Sequence, residues 1–246
     1  MSGNISDDAI ILHARDWQAA DKYVVAFTKN HGKVTFIAYG ARYVKNVAGR
    51  LLQPFAVLSA EVTPGHKVGR LKGCELLQPP QSFDFKQMAY AAVAAELTEV
   101  LTEDREPQPE IFELLKDALY VLGNRNPRIT VISYALNLLG LTGFAPQADT
   151  CVVCGNMAEE GYSSFSPLQG GLVCKNCCRG GEEPFATATR ELMLRLQDMD
   201  FKNPESFTVR GENLMELEKL LYKFILFQTD KPLNSINFLA KIASAS

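Results

Sequence analysis

Lys22-Tyr23-Val24-Val25-Ala26-Phe27-Thr28, then Asn30-His31-Gly32, then Lys33-Val34-Thr35-Phe36-Ile37-Ala38-Tyr39: this stretch decides how the first third of the chain folds. Both flanking runs are rich in β-branched and aromatic residues. The Asn-His-Gly segment between them has the composition of a tight turn, so the pattern predicts a β-hairpin. Working upstream, Asp8–Arg15 carries the apolar run Ala9-Ile10-Ile11-Leu12 and reads as a strand. Downstream, Pro54–Val62 and His66–Leu77 read as two more, separated by the turn signal Pro64-Gly65. Five short strands within residues 1–78 and no long helix fit a small closed barrel of the OB-fold type, although an SH3-like barrel suits the periodicity almost as well.

Pro79-Pro80 closes that region, and the period then changes to 3.6. Met88, Ala91, Ala92, Ala95, Leu97, Val100 and Leu101 make an apolar face on a segment that opens at Phe85 and is expected to stop near Asp104. Beyond the Pro107–Pro109 break, helices are predicted at Ile111–Gly123, Ile129–Leu141, Thr187–Asp198 and Asn213–Gln228. A short last helix is expected around Lys231-Pro232-Leu233. The expected organisation is multidomain α+β. An OB-fold barrel spans 1–78, an α-helical body spans 79–147 and 185–246, and a cysteine module at 148–184 is inserted into that body.

The inserted module rests on Cys151-Val152-Val153-Cys154-Gly155 and Cys174-Lys175-Asn176-Cys177, a C-x2-C-x19-C-x2-C spacing. Each knuckle aims two thiolates at one point, and two knuckles make a tetrahedral S4 site suited to zinc. Gly155 follows the first knuckle, where a positive φ is common. Tyr162-Ser163-Ser164-Phe165 and Gly170-Gly171-Leu172-Val173 read as the hairpin of a zinc ribbon. Cys178 is the alternative to Cys177 as fourth ligand; Cys177 keeps the two-residue knuckle. Four thiolates leave no open position, so the expected zinc is structural. Cys74 reads as a small packing residue.

At 47% hydrophobic and 22% charged residues the composition is that of a globular protein. No apolar run is long enough to span a membrane. Met1 to Asp8 is polar and acidic, unlike a signal or transit peptide, so the cytoplasm is the expected compartment and its reducing conditions favour thiols over disulfides. The net charge of −3 is uneven. Residues 1–78 hold ten Lys and Arg against six Asp and Glu, and the remainder holds fifteen against twenty-two. That asymmetry suits a polyanion-binding barrel joined to an acidic body. No nucleotide-phosphate loop, zinc-protease or nucleophile-elbow motif occurs. His13, His31 and His66 read as surface residues, and the pairs Asp7-Asp8 and Glu182-Glu183 as solvated charge.

The loop Gly40-Ala41-Arg42-Tyr43-Val44-Lys45-Asn46-Val47-Ala48-Gly49-Arg50 combines cations with an aromatic ring. On a small barrel such a loop suits single strands, with cations on phosphates and a ring on a base. The candidate DNA-binding set is Arg42, Tyr43, Lys45 and Arg50 in this loop, with Arg15 and Lys33 in the strands beside it. Trp17 is a second stacking candidate or a rim residue of the barrel core.

Phe27-Thr28 with His31-Gly32-Lys33, Gly40-Ala41-Arg42 with Lys45, and Leu52-Gln53-Pro54-Phe55 all resemble segments of the RecO family of bacterial recombination mediators. Leu138-Leu139-Gly140-Leu141-Thr142-Gly143-Phe144-Ala145-Pro146, Phe165-Ser166 with Gly170-Gly171-Leu172-Val173-Cys174, and Lys231-Pro232-Leu233-Asn234-Ser235 extend the resemblance to the C-terminal end. The resemblance implies an OB-fold, a helical body and a zinc module. It implies a protein that binds single- and double-stranded DNA, anneals complementary strands, acts with RecR, and contacts the acidic tail of single-stranded DNA-binding protein so that RecA can be loaded. The chain departs from the family loop at Tyr43 and Asn46, where a further arginine and Lys-Ser are usual, which implies weaker DNA contacts from Arg42, Lys45 and Arg50. Two other readings are a protein-interaction scaffold built on the helical body and a nuclease of undetected type.

Overall fold

The structure is a computed structural model describing residues 3–157, 163–204, 208–236 and 239. It divides into two compact units, one of residues 1–127 with 235–246 and the other of 128–234.

The first unit opens with β1 (Ile5–Trp17), β2 (Asp21–Thr28) and β3 (Gly32–Ala38). The five-residue helix α1 (Val47–Leu51) precedes β4 (Val57–Thr63) and β5 (Gly69–Gln78). The strands close into a barrel in the order β1-β2-β3-β5-β4, with β4 returning onto β1. All contacts are antiparallel except β3 on β5, where Phe36 faces Gly69 and Ile37 faces Arg70. A five-stranded barrel sealed this way is the OB-fold. Alternation sends Ala9, Ile11, Val24, Ala26, Val34, Phe36, Leu58, Ala60 and Val62 inward as one core, and Cys74 packs against it. Burial pushes the Cys74 thiol up, in keeping with a packing role.

β1 extends beyond the expected Asp8–Arg15 at both ends. Residues Ile5–Ile10 pair with β4, while residues from Ala9 onward pair with β2, and a bulge between Ile11 and His13 bends the strand between its two partners. The acidic pair Asp7-Asp8 departs from the solvated reading. Asp7 is buried and accepts hydrogen bonds from the Asn30 backbone N–H (2.6 Å), the Asn30 side-chain amide (2.8 Å) and His31 Nδ1 (2.9 Å). It fastens the β2–β3 turn. His13 likewise meets Glu99 at 3.2 Å, so two of the three histidines are paired.

Two helices complete the unit. α2 (Phe85–Leu101) starts at a capping box formed by Asp84 and Gln87, and α3 (Pro109–Leu122) starts with Pro109 in its first turn. α2 packs on β1 and α3 on β2. α2 ends at Leu101, short of the expected Asp104, because Thr102 is extended and Asp104 pairs with Lys33 as an isolated bridge. Lys231, Pro232 and Leu233, where the short last helix is expected, are not helical; helical residues follow at 234–236, just beyond Pro232, which lacks a backbone N–H. Ser235 returns to this unit and donates to Glu96 from both its backbone N–H (2.8 Å) and its hydroxyl.

The second unit holds α4 (Pro127–Leu141), β6 (Ser163–Ser166), β7 (Gly171–Cys174), β8 (Glu183–Pro184), α5 (Thr187–Gln197) and α6 (Gly211–Thr229). The three strands form a sheet in the order β7-β6-β8. Phe165 of β6 stands edge-on to Phe185 and to Phe224 of α6, with centroids 5.5 and 5.9 Å apart. Replacing a fully buried phenylalanine like this one by alanine costs about 3–5 kcal/mol. α5 packs on α6, and Ser133 of α4 donates to the carbonyl of Leu196 at 2.7 Å. Among the described residues, no helix is long and apolar enough to cross a membrane.

Candidate metal centre and nucleic-acid interface

Cys151 and Cys154 sit on a turn that the N–H of Gly155 closes onto the Cys151 carbonyl at 2.8 Å, and Gly155 has the expected positive φ of 75°. Cys174 ends β7, and the N–H of Cys177 returns to its carbonyl at 3.0 Å. The hairpin β6–β7 brings the two knuckles together. The Sγ atoms of Cys151, Cys154, Cys174 and Cys177 all lie within 4.8 Å of one another, and Cys154 and Cys174 are 3.8 Å apart. A tetrahedron with Zn–S bonds of about 2.3 Å has edges of about 3.8 Å, so the donor set fits that ion.

Electrostatics favour a cation at this point. Burial pushes the Cys151 thiol up, yet the backbone N–H groups of Cys174, Cys154 and Val153 outweigh it and bring the group to about 6. The Cys174 N–H donates to Cys151 Sγ at 3.3 Å. The sulfurs of Cys174 and Cys154, with some burial, push Cys177 up to about 12. One thiolate forms readily and raises the cost of the next, a conflict that a dication resolves. Cys178 points elsewhere: its Sγ contacts Glu182 at 3.2 Å and Ser164 Oγ at 3.8 Å. Glu182 also accepts from the Arg179 N–H, and Glu183 pairs with Lys223, so this acidic pair too is engaged within the fold. Tyr162, expected in the hairpin, lies outside the described residues.

On the barrel, register places Arg15 opposite Tyr23, Tyr23 opposite Ile37, and Ile37 opposite Arg70. Paired residues share a face, so this row runs across β1, β2, β3 and β5 on the outside of the barrel. The Arg15 guanidinium lies 4.6 Å from the Tyr23 ring centre and 5.4 Å from that of Trp17, and the two rings are 5.8 Å apart. Arg70 lies 5.1 Å from the ring of Tyr39, which is 55% exposed. Cations over rings on the β2–β3 face of an OB-fold are what a single strand requires, charge for phosphates and flat apolar surface for bases. Arg70 and Tyr39 were not among the candidates read from sequence. Only the parallel β3–β5 contact puts them together.

The other candidates are placed differently. Arg42 Nε pairs with Asp16 at 3.1 Å and its Nη1 donates to the Ala19 carbonyl at 3.2 Å, which braces the loop. Tyr43, Lys45 and Arg50 are exposed, and Lys45 and Arg50 have no ion pair among the described residues. Lys33 is engaged inside the unit. Its Nζ donates to the carbonyls of Glu99 (2.6 Å) and Thr102 (2.8 Å) and lies 3.3 Å from Asp104, capping the end of α2. A small groove in the first unit is lined by Phe55, Phe83, Leu119 and Tyr120, with Lys116 as its single charged residue.

Two family models match the chain. Recombination protein O N terminal covers residues 1–80 and Recombination protein O C terminal covers residues 82–236. A DNA repair protein RecO of Symbiobacterium thermophilum is 32% identical over 246 residues, 97% of each chain. The RecO protein of Myxococcus xanthus is 32% identical over 242 residues, 96% of this chain and 97% of its own. That of Desulforamulus reducens is 27% identical over 239 residues, 96% and 93%. With a five-stranded barrel, a helical body and a four-cysteine cluster, and with the two family models matching residues 1–80 and 82–236, the chain belongs to the RecO family of DNA repair proteins.

Proposed function

We propose that this protein is a non-catalytic mediator that binds single- and double-stranded DNA and anneals complementary strands. With RecR, it would help load RecA onto DNA coated by single-stranded DNA-binding protein, whose acidic C-terminal tail it contacts, and it would do so in the cytoplasm. The observation that carries the DNA part is the outer row Arg15–Tyr23–Ile37–Arg70 with Trp17 and Tyr39 beside it. Arg42, Tyr43, Lys45 and Arg50 extend that surface, while Lys33 serves the fold. Neutralising phosphates releases counterions and lowers the repulsion between two strands as they meet. In this reading residues 1–78 hold DNA, residues 79–147 and 185–246 form the body that meets protein partners, and 148–184 form the zinc module. The four thiolates of Cys151, Cys154, Cys174 and Cys177 would hold Zn2+ with no position left for substrate, so the metal stabilises the β6–β7 hairpin.

The test is annealing of complementary oligonucleotides, bare and coated with single-stranded DNA-binding protein. Acceleration in both forms, with no strand cleavage when magnesium is added, is expected. If annealing is unaffected while a RecR partner still binds, the protein is a docking scaffold instead.

A further inference from the structure

The loop from Tyr39 to Val47 exposes four large apolar side chains: Tyr39 at 55%, Tyr43 at 67%, Val44 at 90% and Val47 at 58%. Single exposed apolar residues are ordinary on a protein surface, but four in nine positions make a patch. The loop is also held firmly. Its Gly40 N–H donates to Asp21 at 2.8 Å and its Arg42 N–H to the Ala20 carbonyl at 2.9 Å. Asn46 spans it, donating to the Gly40 carbonyl at 3.0 Å and accepting from the Gly49 N–H at 3.1 Å. Lys22 Nζ reaches the Gly49 carbonyl at 2.8 Å. Gly49 itself lies so close that a Cβ there would stand 1.7 Å from the Ala41 carbonyl oxygen. Rigidity removes the ordering cost that a floppy apolar tip would meet on binding.

Resting on the DNA-binding reading above, we propose that the Tyr43–Val44 tip is a wedge that seats against the last base pair where single-stranded DNA becomes duplex. Two features select this occupant. The apolar side chains alternate with Arg42, Lys45 and Arg50, which complements a polyanion presenting apolar faces. Tyr39 lies at the root of the loop with its ring under Arg70, so the aromatic row on the barrel leads directly into it. A strand held along that row would reach the tip at the point where pairing resumes. Aliphatic wedges pressed against or between base steps are a known way to hold DNA in an unstacked state, with flanking cations on the phosphates. In annealing, the wedge would hold the open end of a growing duplex where the next pair forms.

The experiment uses the full chain and a partial duplex carrying 2-aminopurine in the last base pair before a single-stranded tail, with a plain single strand in parallel. The native protein is expected to raise the fluorescence and to bind the junction more tightly than the single strand. Val44→Ser with Val47→Ser is expected to abolish the rise and bring the two affinities together, while single-strand affinity stays within about twofold, because the residues altered make no phosphate contact. Both are exposed, and an unchanged circular dichroism spectrum shows that the fold is kept; Val44→Leu should retain the rise. Native protein that binds the single strand but leaves the fluorescence flat overturns the wedge and leaves the DNA-binding reading standing. No binding to either DNA overturns both. Capture by phosphatidylglycerol vesicles that the double variant loses, without a fluorescence rise on DNA, reassigns the tip to a membrane surface and overturns the wedge.

Discussion

Lys33 and Arg70 carry the same charge on neighbouring strands, and their surroundings give them different work. Lys33 is enclosed by two carbonyls and a carboxylate at the end of α2. Lys33→Met should lower stability by about 1–3 kcal/mol, since two helix-end carbonyls lose a charged donor, and leave DNA affinity unchanged; a thermal melt beside an oligonucleotide titration checks both. Arg70 lies over the Tyr39 ring and has no ion pair among the described residues. Arg70→Ala should weaken single-strand binding and flatten its dependence on salt by about 0.7 in the log–log slope, with little effect on melting. A variant with the native slope would place the phosphates elsewhere. Glu99 adds a pH response. The hydrogen bond from His13 lowers its carboxyl below the ordinary value of 4.5, against the opposing effect of burial. Its contribution is therefore complete above that value and disappears as pH falls through the depressed folded value. Glu99→Gln should flatten the acid limb of a stability–pH curve, which urea melts between neutral and acid pH would reveal.

Among the elements, the β2–β3 hairpin was the most legible, because Tyr23 to Thr28 and Lys33 to Ala38 carry both their alternation and their turn within sixteen residues. The cysteine knuckles were legible for a similar reason, since C-x2-C is a local geometry whose meaning does not depend on distant chain. Three things were hidden. The full reach of β1 depends on its pairing with β4, about fifty residues away. The Arg70–Tyr39 contact depends on a parallel strand pair that leaves no periodic mark. Asp7 looked like solvated charge because the turn that buries it, at Asn30 and His31, is far along the chain. In the cysteine element, Cys151→Ser should abolish one-to-one zinc binding in elemental analysis of protein prepared without chelator. Cys178→Ser should leave it intact, because that sulfur faces Glu182 and Ser164.

On the scale of the whole molecule, each unit has its own buried core, so they should melt as separable transitions. A zinc chelator is expected to lower the midpoint of the transition belonging to residues 128–234 and to leave the barrel transition in place. Calorimetry with and without chelator reads this directly, and a parallel drop in both midpoints would tie the metal to the whole chain.

Ser235 gives this arrangement a practical edge. The chain leaves its first unit after residue 127 and comes back to it at residue 235, where Glu96 grips both the backbone and the hydroxyl. Everything between is thus a guest domain spliced into a host whose own ends are separated by more than a hundred residues. A shortened gene stopping at 127 would yield a host without its clasp. Ribosomal order matters as well: the barrel emerges first, yet the contact of Glu96 with Ser235 can form only after residue 235 has been made.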